Sequence, residues 1–362
     1  MTARWKWKIE HFRNLQVDIE LEDTLTIIVG PNASGKTSLL EAFYWMVHGR
    51  SFRTRRKDRV IRSGAPIARV CVEWSERFET VELVIPRDGP ARLFVQGHAV
   101  AFSVWRAQNP VLYLGGRAVP LLAARASYRR QFLDRSLSTI FPQYRKWLQR
   151  FDQARNQRNA ALASGSPSAE QHVWDVPYCT AAAKIWEMRA YLVRQVRPII
   201  ARMWVRLFPG RPLRIALTSP FWSPEQSPPS PEEVLQMLEK FASRERAHGR
   251  SLVGPHRDDL RVFGPHGSFW DTASAGQIRA LLTVWGCAIA RLVQQIHARP
   301  LRLLIDDFDA ELDTPRARDL FTIFPHPYVL LTSHRKFWLQ HAAPHVQRLV
   351  IRSGRLYPVS VR

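Results

Sequence analysis

The stretch GPNASGKT, at residues 30–37, decides the fold. It matches the pattern G-x-x-x-x-G-K-[ST], and it lies between a β-branched run, LTIIVG (25–30), and a segment with helical spacing, KTSLLEAFYWMVHG (36–49). In such a strand–loop–helix unit, backbone N–H groups surround nucleotide phosphates, the lysine reaches the β and γ oxygens, and the hydroxyl ligates Mg²⁺. We therefore predict a P-loop in which Lys36 is catalytic and Thr37 is a metal ligand. Its other predicted nucleotide contacts are Gly30, Asn32, Ser34, Gly35 and Ser38.

A second chemical signal is LRLLIDDFDAELD, at residues 301–313, where an apolar run ends at two adjacent aspartates. A P-loop enzyme needs an acidic residue at the end of a second strand to hold its metal. We predict that Asp306 holds Mg²⁺ through water and that Asp307 polarises the attacking water. Without a P-loop elsewhere in the chain, two adjacent aspartates would more often be a helix N-cap or a solvated turn.

The third signal is the small-residue turn ASAGQ, at residues 273–277, which opens a long predicted helix. The N-terminus of a helix attracts anions because its first N–H groups are unpaired and the helix dipole is positive there. In a symmetric dimer this turn could bind the γ-phosphate held by the P-loop of the other subunit. A glycine near a helix start is common by itself, so this prediction depends on the order and spacing of all three motifs.

P-loop, S-x-G-Q turn, acidic strand and AELD follow one another in an order that resembles the ABC-type ATPase heads of the SMC and RecF class. Finer stretches resemble the RecF family of bacterial recombination mediators and span nearly the whole chain. They are FRNL (12–15), GKTSLLEA…GRSFRT (35–54), RRQFLDR (129–135), QARNQRNAAL (153–162), GPHRDDL (254–260) and DDFDAELD (306–313).

This resemblance implies a protein that binds ATP with Mg²⁺, dimerises on ATP, and is a weak ATPase stimulated by DNA. It further implies binding to duplex DNA near single-strand gaps, and work with RecR and RecO to load RecA onto strands covered by single-strand-binding protein. A DNA-repair role in the cytoplasm, at the nucleoid, follows as an expectation.

The resemblance also assigns individual residues. Arg13 and Asn14 would lie by the nucleotide, and residues 310–313 would match the D-loop across the dimer. The signature contact in trans would be made by Ser274, Gly276 and Gln277.

Four positions depart from the family pattern or stay open. Ala33 replaces the usual glycine of the P-loop, and alanine reaches a positive φ less readily, so an altered turn is expected. Ala310 replaces the usual D-loop serine. His334 follows a predicted strand where ABC ATPases often carry a switch histidine, and it is either a γ-phosphate sensor or a surface histidine. Gln108 is a candidate for the Q-loop glutamine.

The charge of the chain favours a polyanionic partner. Lys and Arg number 53 against 31 Asp and Glu, which leaves a formal charge of +22. The segment GRSFRTRRKDRVIR (49–62) alone has seven basic residues and one acidic residue. A charge run is usually a solvated surface, but this one follows the P-loop helix in a strongly basic chain, and the family that the chain resembles uses the head surface for duplex DNA. We therefore predict phosphate contacts with duplex DNA. The predicted DNA-binding residues are Arg53, Arg55, Arg56, Lys57 and Arg59.

The pattern of strands and helices predicts an α/β body built from both chain ends, an ABC-type P-loop ATPase head, with an inserted, mainly helical lobe. We place the N-terminal part of the head at 1–115, the helical lobe at 116–248, and the C-terminal part of the head at 249–362. A Pro/Ser-rich connector is expected at 218–233. Most of the thirteen tryptophans are expected in the core.

Composition excludes several classes. The three cysteines are far apart, which argues against a disulfide framework or a structural zinc site. The N-terminus has no apolar signal region, and no long uncharged apolar run predicts a membrane span. A transporter ATPase or a coiled-coil SMC protein fits the spacing and insert length poorly. Two alternatives remain: an ATP-binding DNA clamp with little or no hydrolysis, and a diverged SMC-like ATPase with another role in DNA maintenance.

Overall fold

The computed structural model describes residues 4–22, 24–74, 79–116, 118–165, 168–223, 226–324, 328–343 and 345–359. The chain divides into two compact units, one of residues 1–117 with 279–362 and one of residues 118–278. The first unit therefore contains both ends of the chain, as the sequence predicts.

The first unit contains two six-stranded sheets. The antiparallel sheet has the order β2-β1-β4-β5-β6-β7, and its strands are β1 Arg4–Phe12, β2 Leu15–Glu22, β4 Ile67–Trp74, β5 Glu79–Pro86, β6 Arg92–Val95 and β7 His98–Val100. The second sheet has the order β15-β14-β3-β13-β12-β8, with β3 Thr26–Val29, β8 Val111–Leu114, β12 Arg302–Ile305, β13 Val329–Ser333, β14 Gln347–Arg352 and β15 Arg355–Pro358. Of its five strand pairings, four are parallel, and the edge pairing of β15 with β14 is antiparallel. The helices of this unit are α1 Lys36–His48, α2 Phe102–Gln108, α10 Thr314–Thr322, α11 Trp338–His341 and most of α9 Ala275–His297.

Residue patterns explain both sheets. Strand β1 alternates buried Trp5, Trp7 and Ile9 with exposed basic residues, as expected for a sheet with one solvated face. Strands β3 and β12 are buried at every position, which fits their continuous apolar sequence. Helix α1 is almost wholly buried, and it shares one hydrophobic core with residues of both sheets. This burial fixes the P-loop helix against the parallel strands.

The second unit is mainly helical, as predicted for the insert. Its helices are α3 Ala118–Ala124, α4 Ala126–Ile140, α5 Tyr144–Ala163, α6 Ser168–Leu207, α7 Pro231–His248 and α8 Phe269–Thr272. A small antiparallel sheet of order β11-β10-β9 completes it, with β9 Arg214–Thr218, β10 Asp259–Gly264 and β11 Gly267–Ser268. The stretches RRQFLDR and GPHRDDL meet inside this unit. Buried Arg189 bonds Asp134 of the first stretch and Asp258 of the second.

The predicted boundary at residue 248, between the helical lobe and the C-terminal part of the head, divides residues that contact one another in the structure. Residues 249–278 group with the helical unit because β10 pairs with β9 along its length and Trp270 donates its Nε1 proton to the Leu260 carbonyl. The predicted connector is also shorter at its C-terminal end. Ser230 is the N-cap of α7 and forms a reciprocal capping box with Glu233, so the helix begins at Pro231. Residues 224–225 of the connector lie outside the described residues.

Helix α9 is long and apolar enough, by length and composition alone, to cross a membrane. Of its most apolar window, 89% is buried inside the protein. That burial is the pattern of a core helix.

Candidate nucleotide site and basic segment

The P-loop connects β3 to α1 and curls around its own lysine. Gly30 donates its N–H to the Ser333 carbonyl at 3.2 Å, which ties the loop to the end of β13. A Cβ on Gly30 would lie 2.6 Å from the Ile351 carbonyl oxygen, so the backbone can pass there only as glycine. Lys36 is 6% exposed, and its Nζ donates to the carbonyls of Gly30 at 2.8 Å and Pro31 at 3.0 Å. The ammonium thus lies within the loop, where the motif predicts phosphate oxygens.

Ala33 adopts the left-handed backbone conformation that a glycine would reach more readily. Its φ is 63°, and the residue is exposed, so its methyl group meets no obstacle. For a residue with a Cβ this conformation costs about 1 kcal/mol. The expected change of the turn is therefore not found, and the cost is strain within one residue. The buried Oγ of Ser34, next in the loop, has no hydrogen-bond partner among the described residues.

Asp306 collects three hydroxyl donors at the end of β12. Thr37 Oγ1 donates to Asp306 Oδ2 at 2.8 Å, and Thr332 Oγ1 donates to Oδ1 at 2.7 Å. The hydroxyl of Tyr113, on the neighbouring strand β8, lies 3.3 Å from Oδ2. The two predicted metal residues therefore meet, and their hydroxyl and carboxylate are the hard oxygen groups that suit Mg²⁺.

Asp307 differs from Asp306 in being left partly unpaired. It has a φ of 47°, and its N–H donates to Thr332 Oγ1 at 2.8 Å. Its buried Oδ1 has no hydrogen-bond partner in the described part of the chain. Burial, and then the charge of Asp306, raise its carboxyl pKa above the ordinary value, whereas the positive charges of Lys36, Arg279 and His334 act in the opposite direction. Such a strained, desolvated carboxylate is typical of a functional group.

Two glycines after β8 make room for the side chains that contact the aspartate pair. A Cβ on Gly115 would lie 2.2 Å from the Tyr113 hydroxyl, and one on Gly116 would lie 2.6 Å from Arg279 Nη2. Arg279 donates through Nη1 to the carbonyl of Asp307 at 3.0 Å. Sequence reasoning missed both Tyr113 and Arg279. The adjacent glycines at the end of an apolar run were the available signal.

Asp309 links the loop after β12 to the end of β13. Its fully buried carboxylate accepts hydrogen bonds at 2.7 Å from Ser333 Oγ and Trp338 Nε1. Arg335 lies 3.6 Å from the same carboxylate and donates to the Leu312 carbonyl, within the predicted D-loop, at 2.6 Å. His334 stands between these anchored residues and is itself exposed. Sequence reasoning missed Asp309, whose signal was a third aspartate in DDFDAELD.

The predicted signature turn is an N-terminal capping box. Ser274 Oγ accepts from the Gln277 N–H at 3.2 Å, and Gln277 Oε1 accepts from the Ser274 N–H at 2.9 Å. Gly276 is buried, whereas Ser274 is exposed. The turn therefore has a fixed conformation at the start of α9, and its contact with a nucleotide in trans remains a prediction. Gln108, the Q-loop candidate, is exposed at the end of α2.

Arg13 and Asn14 have different surroundings. Asn14 Nδ2 lies 3.5 Å from the Ala33 carbonyl, so it is next to the P-loop. Arg13 instead forms a two-bond pair with Glu41 of α1, with Nη2 at 2.8 Å from Oε1. Glu41 has no exposed side-chain surface, and Ser51 and Arg53 also contact its carboxylate. Sequence reasoning missed this buried glutamate, which ties the start of the basic segment to the P-loop helix.

The five predicted DNA-binding residues divide by their contacts. Arg53 lies 3.5 Å from Glu41, Arg56 pairs with Asp58 at 2.7 Å, and Lys57 Nζ donates to the carbonyls of Pro86 and Gly89. Within the described residues, the side chains of Arg55 and Arg59 are exposed and have no hydrogen bond or ion pair. These two guanidinium groups are the ones available to an outside anion.

The chain is similar to known proteins along nearly its whole length. The model of the RecF/RecN/SMC N-terminal domain matches residues 6–350. The DNA replication and repair protein RecF of Gloeobacter violaceus is 32% identical over 366 residues, and that of Synechococcus sp. (strain JA-3-3Ab) is 30% identical over 371, each match covering 96% of both chains.

Solved structures give the same fold. The recombination mediator protein RecF with ATP, of the RecFOR pathway, has a TM-score of 0.78 at 20% identity and covers 99% of each chain. An Smc head domain of Pyrococcus yayanosii has a TM-score of 0.60 at 13% identity, covering 100% of this chain and 98% of that one. The predicted ABC-type α/β head and the resemblance on which it rested are confirmed: the chain belongs to the RecF/RecN/SMC family, as a RecF-type member.

Proposed function

We propose that this chain is an ATP-dependent DNA-binding protein of recombinational repair that hydrolyses ATP slowly. The observation that carries the proposal is the meeting of Thr37 and Asp306 beside the P-loop, with the unpaired carboxylate of Asp307 next to them. The curated relatives that match nearly the whole chain are DNA replication and repair proteins, and this supports the biological role.

The residues of the site divide the chemistry among them. When bound, ATP would supply the phosphoryl group, and Mg²⁺ would neutralise the negative charge on the phosphate oxygens. Lys36 would contact the β- and γ-phosphates, and Thr37 together with Asp306 would hold Mg²⁺. Asp307 would orient and polarise the attacking water, because its Oδ1 accepts no hydrogen bond from the described residues and keeps its lone pairs for that water. His334 contacts the γ-phosphate as a sensor.

ATP binding joins two copies of the chain. In this dimer Ser274, Gly276 and Gln277 of one protomer contact the γ-phosphate held by the P-loop of the other. The capping box supports this role because it fixes the turn before a ligand arrives. Arg13 and Asn14 lie by the nucleotide, Arg13 acting through α1.

The dimer binds duplex DNA beside single-strand gaps through sequence-independent phosphate contacts. The formal charge of +22 and the exposed Arg55 and Arg59 support this part. By family resemblance its partners are RecR, with RecO, RecA and single-strand-binding protein, and its place is the nucleoid in the cytoplasm. DNA increases ATP turnover in this proposal.

Sedimentation velocity with and without ATP and a gapped duplex tests nucleotide, dimer and DNA together. We expect ATP to shift the chain from monomer to dimer, and gapped duplex to move with the dimer. Lys36→Arg should lose ATP turnover, whereas Lys240→Arg, at an exposed lysine of α7, should behave as the wild type. ATP-independent sedimentation would contradict the proposal. ATP-dependent DNA binding with no turnover, in wild type and Lys36→Arg alike, would favour a clamp without hydrolysis.

A further inference from the structure

An aromatic stack joins the basic segment to the acidic end of β12. Phe52, which precedes Arg53, stacks on Tyr113 with 3.5 Å between ring centroids and 14° between planes. The Tyr113 hydroxyl reaches Asp306 Oδ2 at 3.3 Å. Two contacts in series, Phe52 with Tyr113 and Tyr113 with Asp306, thus connect residues 49–62 to the predicted metal carboxylate.

The surroundings of Tyr113 hold its ring in this position. Tyr44 of α1 packs edge-on against it, with 6.3 Å between centroids, and also contacts Phe52 in an edge-on arrangement. Gly115 leaves the space that the hydroxyl occupies. The hydroxyl donates to the Asp306 carboxylate, which can only accept when ionised.

The hydrogen bonds of Asp306 give the hydroxyl a role once the metal binds. Thr37 donates to Asp306 in this structure, and the lone pairs of its hydroxyl oxygen stay free to ligate a metal. Thr332 donates to Oδ1 and Tyr113 donates to Oδ2, so each carboxylate oxygen has a donor that does not depend on Thr37. Two such bonds fix the plane of a carboxylate and leave its remaining lone pairs for metal-bound water.

We propose that Tyr113 is a positioning residue that orients Asp306 toward Mg²⁺, and that Phe52 makes this orientation depend on the position of the basic segment. The inference rests on the proposed function of the site and adds to it a physical connection between DNA-binding and metal-binding residues. The connection is a contact network, so coupling has to be measured.

Binding of a fluorescent ATP analogue, titrated with Mg²⁺, tests the positioning role without using ATP turnover. Tyr113→Phe keeps the stacked ring and loses only the hydroxyl. We expect its half-saturating Mg²⁺ concentration to rise about fivefold, the effect of one lost hydrogen bond, while its affinity for the analogue in EDTA stays within about twofold. Tyr44→Phe is the matched control, since Tyr44 packs against Tyr113 but its hydroxyl is not among the described donors to Asp306, and it should leave the Mg²⁺ midpoint unchanged.

Phe52→Leu tests the connection and keeps the inference testable if Tyr113→Phe misfolds. It should raise the Mg²⁺ midpoint in the same direction, and the double variant Phe52→Leu with Tyr113→Phe should be no worse than Tyr113→Phe alone. Additive effects would overturn the connection, and an unchanged midpoint in Tyr113→Phe would overturn the positioning role. If the wild type binds the analogue without any Mg²⁺ dependence, the proposed function itself fails and this inference falls with it.

Discussion

The role proposed for Asp307 comes with a cost in stability. Burial and the neighbouring charge of Asp306 raise its carboxyl pKa, so the folded state binds the proton more tightly than the unfolded state does. Stability from this group therefore falls as pH rises from the ordinary carboxyl pKa through the raised one, and the loss is complete above the raised value. We expect Asp307→Asn to unfold at a higher temperature than the wild type at neutral pH, and the difference should disappear as the pH falls toward about 4.

Activity should move in the opposite direction in the same variant. ATP turnover in Asp307→Asn is expected to fall about 100-fold or more, with ATP affinity retained, because only the group that polarises water is lost. Calorimetry across pH and steady-state turnover measure the two effects. Asp319→Asn, at an exposed aspartate of α10, is the control and should change neither. A variant with normal turnover would remove Asp307 from the reaction.

The same scale shows where sequence reasoning stops. The spacing of the P-loop motif and of the aspartate pair is local, so the meeting of Thr37 with Asp306 at the end of a buried strand could be predicted. The φ of 63° at Ala33 could not, because sequence alone does not say whether the loop will bear the strain. Tyr113 and Asp309 were missed for another reason: their partners come from distant parts of the chain.

The charged side chains of the basic segment differ in their contacts. Arg55 and Arg59 are exposed, whereas Lys57 is held by two backbone carbonyls and Arg53 lies beside buried Glu41. Changing both Arg55 and Arg59 to alanine should weaken duplex binding equally for all sequences. It should also reduce the slope of log affinity against log salt by about 1.8, at about 0.9 per phosphate contact. Titration of labelled duplex at several salt concentrations measures this slope.

A control variant that removes two positive charges elsewhere distinguishes the effect of local phosphate contacts from the effect of net charge. Lys6 and Lys8, on the exposed face of β1, become the control pair, and their alanine variant should keep the salt slope. Equal losses in both variants would show that total charge, not this segment, binds DNA.

Arg53→Ala should instead lower the midpoint of thermal unfolding, since it removes a cation from the buried carboxylate of Glu41.

The sequence predicts best those helices and strands whose patterns lie within a short stretch of chain. Helix α1 ends at Gly49 with a φ of 65°, as its sequence indicates, and β3, β12 and β13 follow apolar runs. The start of α7 at Pro231 was missed, although Ser230 and Glu233 form a capping box that the sequence contains. The small sheet that draws residues 249–278 into the helical unit depends on pairing across forty residues, which no local pattern reveals.

At the scale of the whole molecule, the two ends of the chain form one sheet, with the P-loop strand β3 between β13 and β14. The P-loop and the acidic pair therefore belong to one compact unit, while Ser274 belongs to the other unit. If the signature turn acts in trans, one active site needs residues from two protomers. Two inactive variants with defects in different halves of the site should then restore each other.

Lys36→Arg and Ser274→Arg make this complementary pair. Each alone should have little turnover, because every site in its symmetric dimer contains the defect. In an equal mixture about half of the dimers are mixed, and each mixed dimer has one intact site and one doubly defective site, so turnover should recover to about a quarter of the wild-type value. Steady-state ATPase assays of the two variants, separately and mixed at constant total protein, measure the recovery. A mixture no more active than the mean of its components would mean that the nucleotide and the signature turn belong to the same protomer, or that the turn takes no part in the reaction.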